Sequence, residues 1–152
     1  MSVQSFVNAA QVLYNQNFYE EALCLACIAV DSAATLAYPQ KGVTERYKLF
    51  LKDNFRTISE VGFPGISAAG IRIKVNSAID NLKCDQNGYV DMEQIIYHVL
   101  RCGLVHGCNI DNTIKFTGRT FIGNDHDGKF YLPETIIWGL LAAVENNILK
   151  QV

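Results

Sequence analysis

The sequence predicts an all-α class, an antiparallel helical bundle with a small β-hairpin before the last helix, and three observations predict it. Apolar residues recur at helical spacing through most of the chain; capping and breaking residues divide that pattern into short segments; and one stretch, residues 113–132, alternates instead around a loop of turn formers. A length of 152 residues suits one domain over 1–152 with a core large enough to need no staples.

Ser2 is placed to cap a first helix to about Gln16, with Phe6, Ala9, Ala10, Leu13 and Tyr14 on one face. Asn15 to Asn17 break it. A second helix from Phe18 to about Tyr38 sets Ala22, Leu23, Ala26, Ala29, Val30, Ala33 and Ala34 on a broad stripe, whose small side chains admit a close neighbour, and Pro39 ends it. Thr44 caps a third helix through Phe55, with Tyr47, Leu51 and Phe55 inward and Lys48, Lys52 and Arg56 in a row at i, i+4 and i+8. After a loop reaching Gly70, Ile71 to Leu82 fits helical spacing, although Ile71 to Val75 also alternates like a strand; the helix is the expectation.

Asp91 is placed to cap a helix from Met92 to about His106, with Gly107 suited to the left-handed turn after it. Thr113 to Ile122 and Lys129 to Leu132 then read as two strands around Gly123 to Gly128. Pro133 suits the first turn of a last helix, whose apolar face is Ile136, Ile137, Leu140, Leu141, Val144 and Ile148.

Charge is sparse at 18% of residues, against about 25% in an average soluble domain, as a covered subunit interface would explain. The net charge of −2 argues against a nucleic-acid binder, but its distribution is uneven. Residues 1–40 hold no Lys or Arg, whereas residues 41–83 hold eight bases against four acids. No secretory signal is visible, and the longest apolar run, Ala22 to Val30, falls well short of the ~20 residues that span a bilayer, so a cytoplasmic protein without a membrane partner is expected. The five cysteines are then expected as reduced thiols.

The run Arg101-Cys102-Gly103-Leu104-Val105-His106 carries the most chemistry. Arg offers a fixed fork of donors for phosphate oxygens, and His exchanges protons near neutral pH. On an ideal helix the two lie ~140° apart, so convergence on one phosphate needs a helix end that relaxes. The competing reading pairs Arg101 with a buried acid, Asp31 above all, while His106 caps the carbonyls at the helix end.

With an Arg and a His separated by four residues closing a late helix, and Phe18-Tyr19-Glu20-Glu21-Ala22 opening a long small-residue helix, the chain resembles the HEPN superfamily. The resemblance implies a homodimer whose two motifs meet across the interface and, in active members, a metal-independent endoribonuclease without cofactors. Arg101 and His106 would be catalytic, Cys102, His98 and Asp31 possible supports, and Lys48, Lys52 and Arg56 the RNA-binding ridge. Partners would be RNA, a cognate antitoxin or a nucleotidyltransferase-type protein, in a toxin or phage-defence setting. Active members commonly carry a polar residue directly after the Arg. Here Cys102 stands there, and a thiol orients a phosphate or imidazole poorly. The other expectation is therefore a non-catalytic homodimerising interaction module with a structural Arg-His pair.

Metal and thiol chemistry are weaker readings. Cys24 and Cys27 lie within an apolar helix without a second pair, Cys102, His106 and Cys108 lack a fourth zinc ligand, and a Cys102-His106 dyad needs an exposed thiol of low pKa. The calcium-loop imitations at 83–94 and 123–134 lack their first ligands and read as turns, so no metal is expected.

Overall fold

In the computed structural model, which describes residues 1–66 and 71–150, helix α1 (Val3–Asn15) starts at Ser2 as expected. The Ser2 hydroxyl accepts from the Ser5 backbone while Ser5 reaches back, closing a capping box. Asn17, at φ 64°, makes the left-handed turn into α2 (Tyr19–Ala37). Five alanines of α2 are buried, and this helix is the hub, packing on α1, α3, the helix that carries the Arg-His run and the last helix. Small side chains permit so many close neighbours.

The third helix departs from expectation at both ends. Gly42, not Thr44, stands at the start of α3 (Val43–Asp53), and the Thr44 hydroxyl is used instead against that of Tyr97, 2.7 Å away. The chain then breaks at Asn54 and restarts as α4 (Phe55–Gly62). Asn54 stabilises the break by donating to the Phe50 carbonyl and accepting from Asn147.

An all-α class does not hold. The fold is mixed α/β, 56% helical, with six helices and two small sheets among the described residues. Where a helix over Ile71 to Leu82 is expected, β1 (Arg72–Lys74) pairs antiparallel with β2 (Tyr89–Asp91). The alternating, β-branched Ile71 to Val75 buries Ile73 and Val75 on one side, and the left-handed Asn81 at φ 65° is incompatible with a continuing helix. The expected calcium imitation at Asp85 is a turn whose carboxylate accepts from the Asn87 and Tyr89 backbones.

Helix α5 runs without interruption through three geometries: α over Met92–Gln94, π over Ile95–Arg101 and α again over Cys102–Gly107. Asp91 precedes it without a side-chain cap, because its carboxylate accepts from Arg72. The left-handed residue after the helix is Cys108 at φ 51°, not Gly107.

The second sheet is not a plain hairpin. β4 (Gly123–Asn124) turns through Asp125 to Gly128 into β5 (Phe130–Pro133), but β3 (Ile114–Thr117) lies on the other side of β5 and runs parallel to it. Pro133 ends β5 rather than opening the last helix. The bonds Phe130 N to Thr113 O and Glu134 N to Thr117 O show that even-numbered amides face β3. The position without an N–H therefore points to the side where β4 has already ended, the one place a strand tolerates proline. Helix α6 (Ile136–Lys150) follows and crosses α4 where Gly62 and Gly139 meet. No helix among the described residues is long and apolar enough to cross a membrane.

Candidate functional site

Arg101 ends the π turn of α5 and is 7% exposed. Its Nη2 donates to Asp31 Oδ2 at 2.5 Å and its Nη1 to His106 Nε2 at 2.8 Å. A guanidinium only donates, so Nε2 is the acceptor and the neutral ring carries its proton on Nδ1. The cation also lies over two aromatic faces, 5.9 Å from the Tyr47 ring centroid and 5.5 Å from that of Tyr97. Burial works against its charge, but the Asp31 carboxylate prevails, and its pKa rises above the ordinary arginine value.

Three helices supply this cluster. The second provides Asp31, inside the stripe of buried alanines; the third provides Arg46, whose Nη2 stands 4.0 Å from Asp31 Oδ1, and Tyr47; the fifth provides Tyr97, Arg101 and His106. The Nε atoms of Arg46 and Arg101, Asp31 Oδ1 and the Tyr47 hydroxyl are buried without a hydrogen bond. Burial of Tyr47, with the Cys27 thiol beside it, pushes its pKa well above the phenol range, and burial lifts Cys27 to about 12. Neither is a nucleophile near neutral pH.

A second group adjoins the first across Tyr97. Lys48 Nζ donates to Gln94 Oε1 at 3.1 Å and to His98 Nε2 at 2.8 Å, and lies 5.5 Å from the Tyr97 ring centroid, so that ring touches both Lys48 and Arg101. His98 is held below its ordinary pKa by burial first, then by Lys48 and Lys83.

Arg101, His106 and Asp31 thus come together. The guanidinium takes the acid Asp31, as the structural reading expects, but His106 binds Arg101 instead of capping carbonyls. His106 is exposed and Cys102 half-buried against the core. His98 belongs to the neighbouring Lys48 pair. The basic ridge does not form: Lys48 turns in to α5, Lys52 stays exposed on α3, and Arg56 lies beyond the break on α4, paired with Glu60 at 2.9 Å. Sequence reasoning missed Arg46, Tyr47 as a cation's platform, and Tyr97. The available signal was Tyr97 four residues before Arg101, a neighbour on any helix.

The Cys24, Cys27, Cys84, Cys102 and Cys108 thiols are all free. Among the described residues no group of three or more His, Cys, Asp or Glu side chains is arranged to hold a metal ion.

The chain is similar to a protein of Mycobacterium tuberculosis (strain ATCC 25618 / H37Rv) named Uncharacterized protein Rv1289, 26% identical over 148 residues that cover 93% of this chain and 68% of that one. Uncharacterized protein Mb1320 of Mycobacterium bovis matches to the same extent, 26% identical over 148 residues. No solved structure matches. The profile of the Rv1289 family matches residues 2–147, nearly the whole chain with its Asp31, Arg101 and His106, and the chain belongs to that family.

Proposed function

We propose that this chain is a non-catalytic interaction module in which Asp31, Arg101 and His106 form a structural clasp between helices. One observation carries the reading: the Arg101 guanidinium is buried and both of its terminal nitrogens already serve protein partners. A phosphate could take one of these nitrogens only by displacing Asp31 or His106, and separating the largely buried Arg101–Asp31 pair without replacing its geometry is costly. Cys102, where active HEPN members carry a stronger polar group, points the same way.

RNA-backbone binding is the second reading, favoured by a different observation. Lys48 and Arg101 lie against the Tyr97 ring, Arg46 stands beside Asp31, and Asp31 is the one carboxylate these three contact among the described residues, leaving positive charge in excess beside the exposed His106. Such an excess attracts phosphate without performing chemistry on it.

Incubation of the purified chain with single-stranded and structured RNA in EDTA at low salt separates these readings. The clasp predicts no cleavage beyond that of His106→Ala. Cleavage that depends on His106 contradicts it, while RNA binding that is weakened by Lys48→Ala establishes the second reading.

A further inference from the structure

Among the described residues each of the two small sheets has an unpaired edge, and one side-chain tie joins them. Among the described residues β1 pairs only with β2, and β4 only with β5. The Val75 amide donates to the Gly88 carbonyl, so the backbones of residues 73 and 75 face β2. The N–H and C=O of Arg72 and Lys74 therefore point to the opposite edge, where no described backbone group meets them. One residue further on, the Asn76 N–H on this same edge donates to Asn124 Oδ1 at 2.8 Å, and Asn124 Nδ2 donates to Ser77 Oγ at 2.8 Å. Asn124 of β4 thus ties the two sheets together at one end.

Beyond this tie the edges diverge around a cavity of about 420 Å³. The open edge of β1 lines one side and Thr120 to Ile122, which lead into β4, line the other, with Phe55 and Met92 also in the wall. That volume lies within the range of pockets that enclose small ligands or a few residues of peptide. An apolar small molecule would bury the Arg72 and Lys74 main-chain groups unpaired, which is unfavourable. An added strand would pair them, the usual fate of an open edge.

We propose that this wedge receives an extended apolar segment of a partner protein as an added strand, joining the two sheets into one. The inference rests on the interaction-module reading and names its partner chemistry. Charge complementarity adds an acidic residue to that segment: Arg72 is already held by Asp85 and Asp91, whereas Lys74 is exposed and contacts no carboxylate among the described residues.

The test is selection of a phage-displayed random decapeptide library against the whole chain, followed by synthesis of the selected peptides. They should alternate apolar residues with at least one acid, and bound peptide should slow hydrogen exchange at the Arg72 and Lys74 amides. Lys74→Pro removes an outward N–H without touching the pairing to β2, and should weaken binding about tenfold. Lys74→Ala keeps the amide and should cost less. N-methylation of alternate peptide amides makes the same test on the unaltered chain, should the proline variant fold poorly. A library that yields no binder, peptides whose binding ignores both Lys74→Pro and N-methylation, or a chain that dimerises through this edge would overturn the proposal. Strand-like peptide binding by a chain that also cleaves RNA would refute the non-catalytic reading alone; an inert chain without protection at Arg72 and Lys74 would refute the wedge alone.

Discussion

Asp31 sits where an acid is hardest to place, in the middle of an alanine stripe that packs on four other helices, and its position makes sense only with a cation delivered to it. Arg101 delivers that cation, and Arg46 stands behind it. That pairing was legible in the sequence because a carboxylate within an apolar stripe demands a partner. The Arg101 to His106 bond was not, because the two stand five positions apart and an ideal helix turns them apart. The reach of the long Arg side chain brings them together. The exposed His106 adds one bond to a cation that Asp31 already holds, so His106→Ala should lower stability by no more than about 1 kcal/mol in urea unfolding. His98 behaves differently. Its folded-state pKa lies below 6.5, so between that pH and the lowered value the unfolded chain binds more protons than the folded one. Its contribution to stability is complete above pH 6.5 and is lost as pH falls through the folded value. NMR titration should place the His98 midpoint below the ordinary histidine range, and Lys48→Met should raise it.

Elements reveal why some boundaries could be read and others not. The Ser2 cap, the alanine stripe and the apolar face of α6 follow from local spacing and were legible. The strand at Arg72 to Lys74 fits helix and strand patterns alike, and only its pairing to Tyr89 to Asp91 decides between them. The π turn and the break at Asn54 are likewise set by neighbours. One close approach fixes the packing of α4 on α6. A Cβ on Gly139 would stand 2.5 Å from the Ile58 carbonyl oxygen, which α4 cannot move cheaply, so Gly139→Ala should destabilise by about 2 kcal/mol. Gly107, with open space around its Cα, serves as the control: Gly107→Ala should leave the unfolding midpoint at or slightly above that of the parent. At the end of α5, Cys108 holds a left-handed conformation that glycine adopts freely, and Cys108→Gly should raise stability by about 0.5 to 1 kcal/mol.

At the scale of the whole molecule, the mixed class arises from chain path more than composition. The turn formers at Asp125 to Gly128 announce a hairpin, but nothing local announces that residues 118–122 carry the chain back so that β3 runs parallel to β5. Parallel pairing between segments a dozen residues apart is a long-range outcome, invisible to periodicity. The clasp has the same character, since it joins α2, α3 and α5 through side chains distant in sequence. If it holds the helices together rather than serving a substrate, its loss must be felt by the fold as a unit. Urea unfolding of Arg101→Ala tests this most directly: the account predicts a single cooperative transition at a stability lower by about 3 kcal/mol, with the partly buried Asp31 left only Arg46, 4.0 Å away, to face it. An Arg101→Ala protein as stable as the parent, yet altered in RNA cleavage, would contradict it.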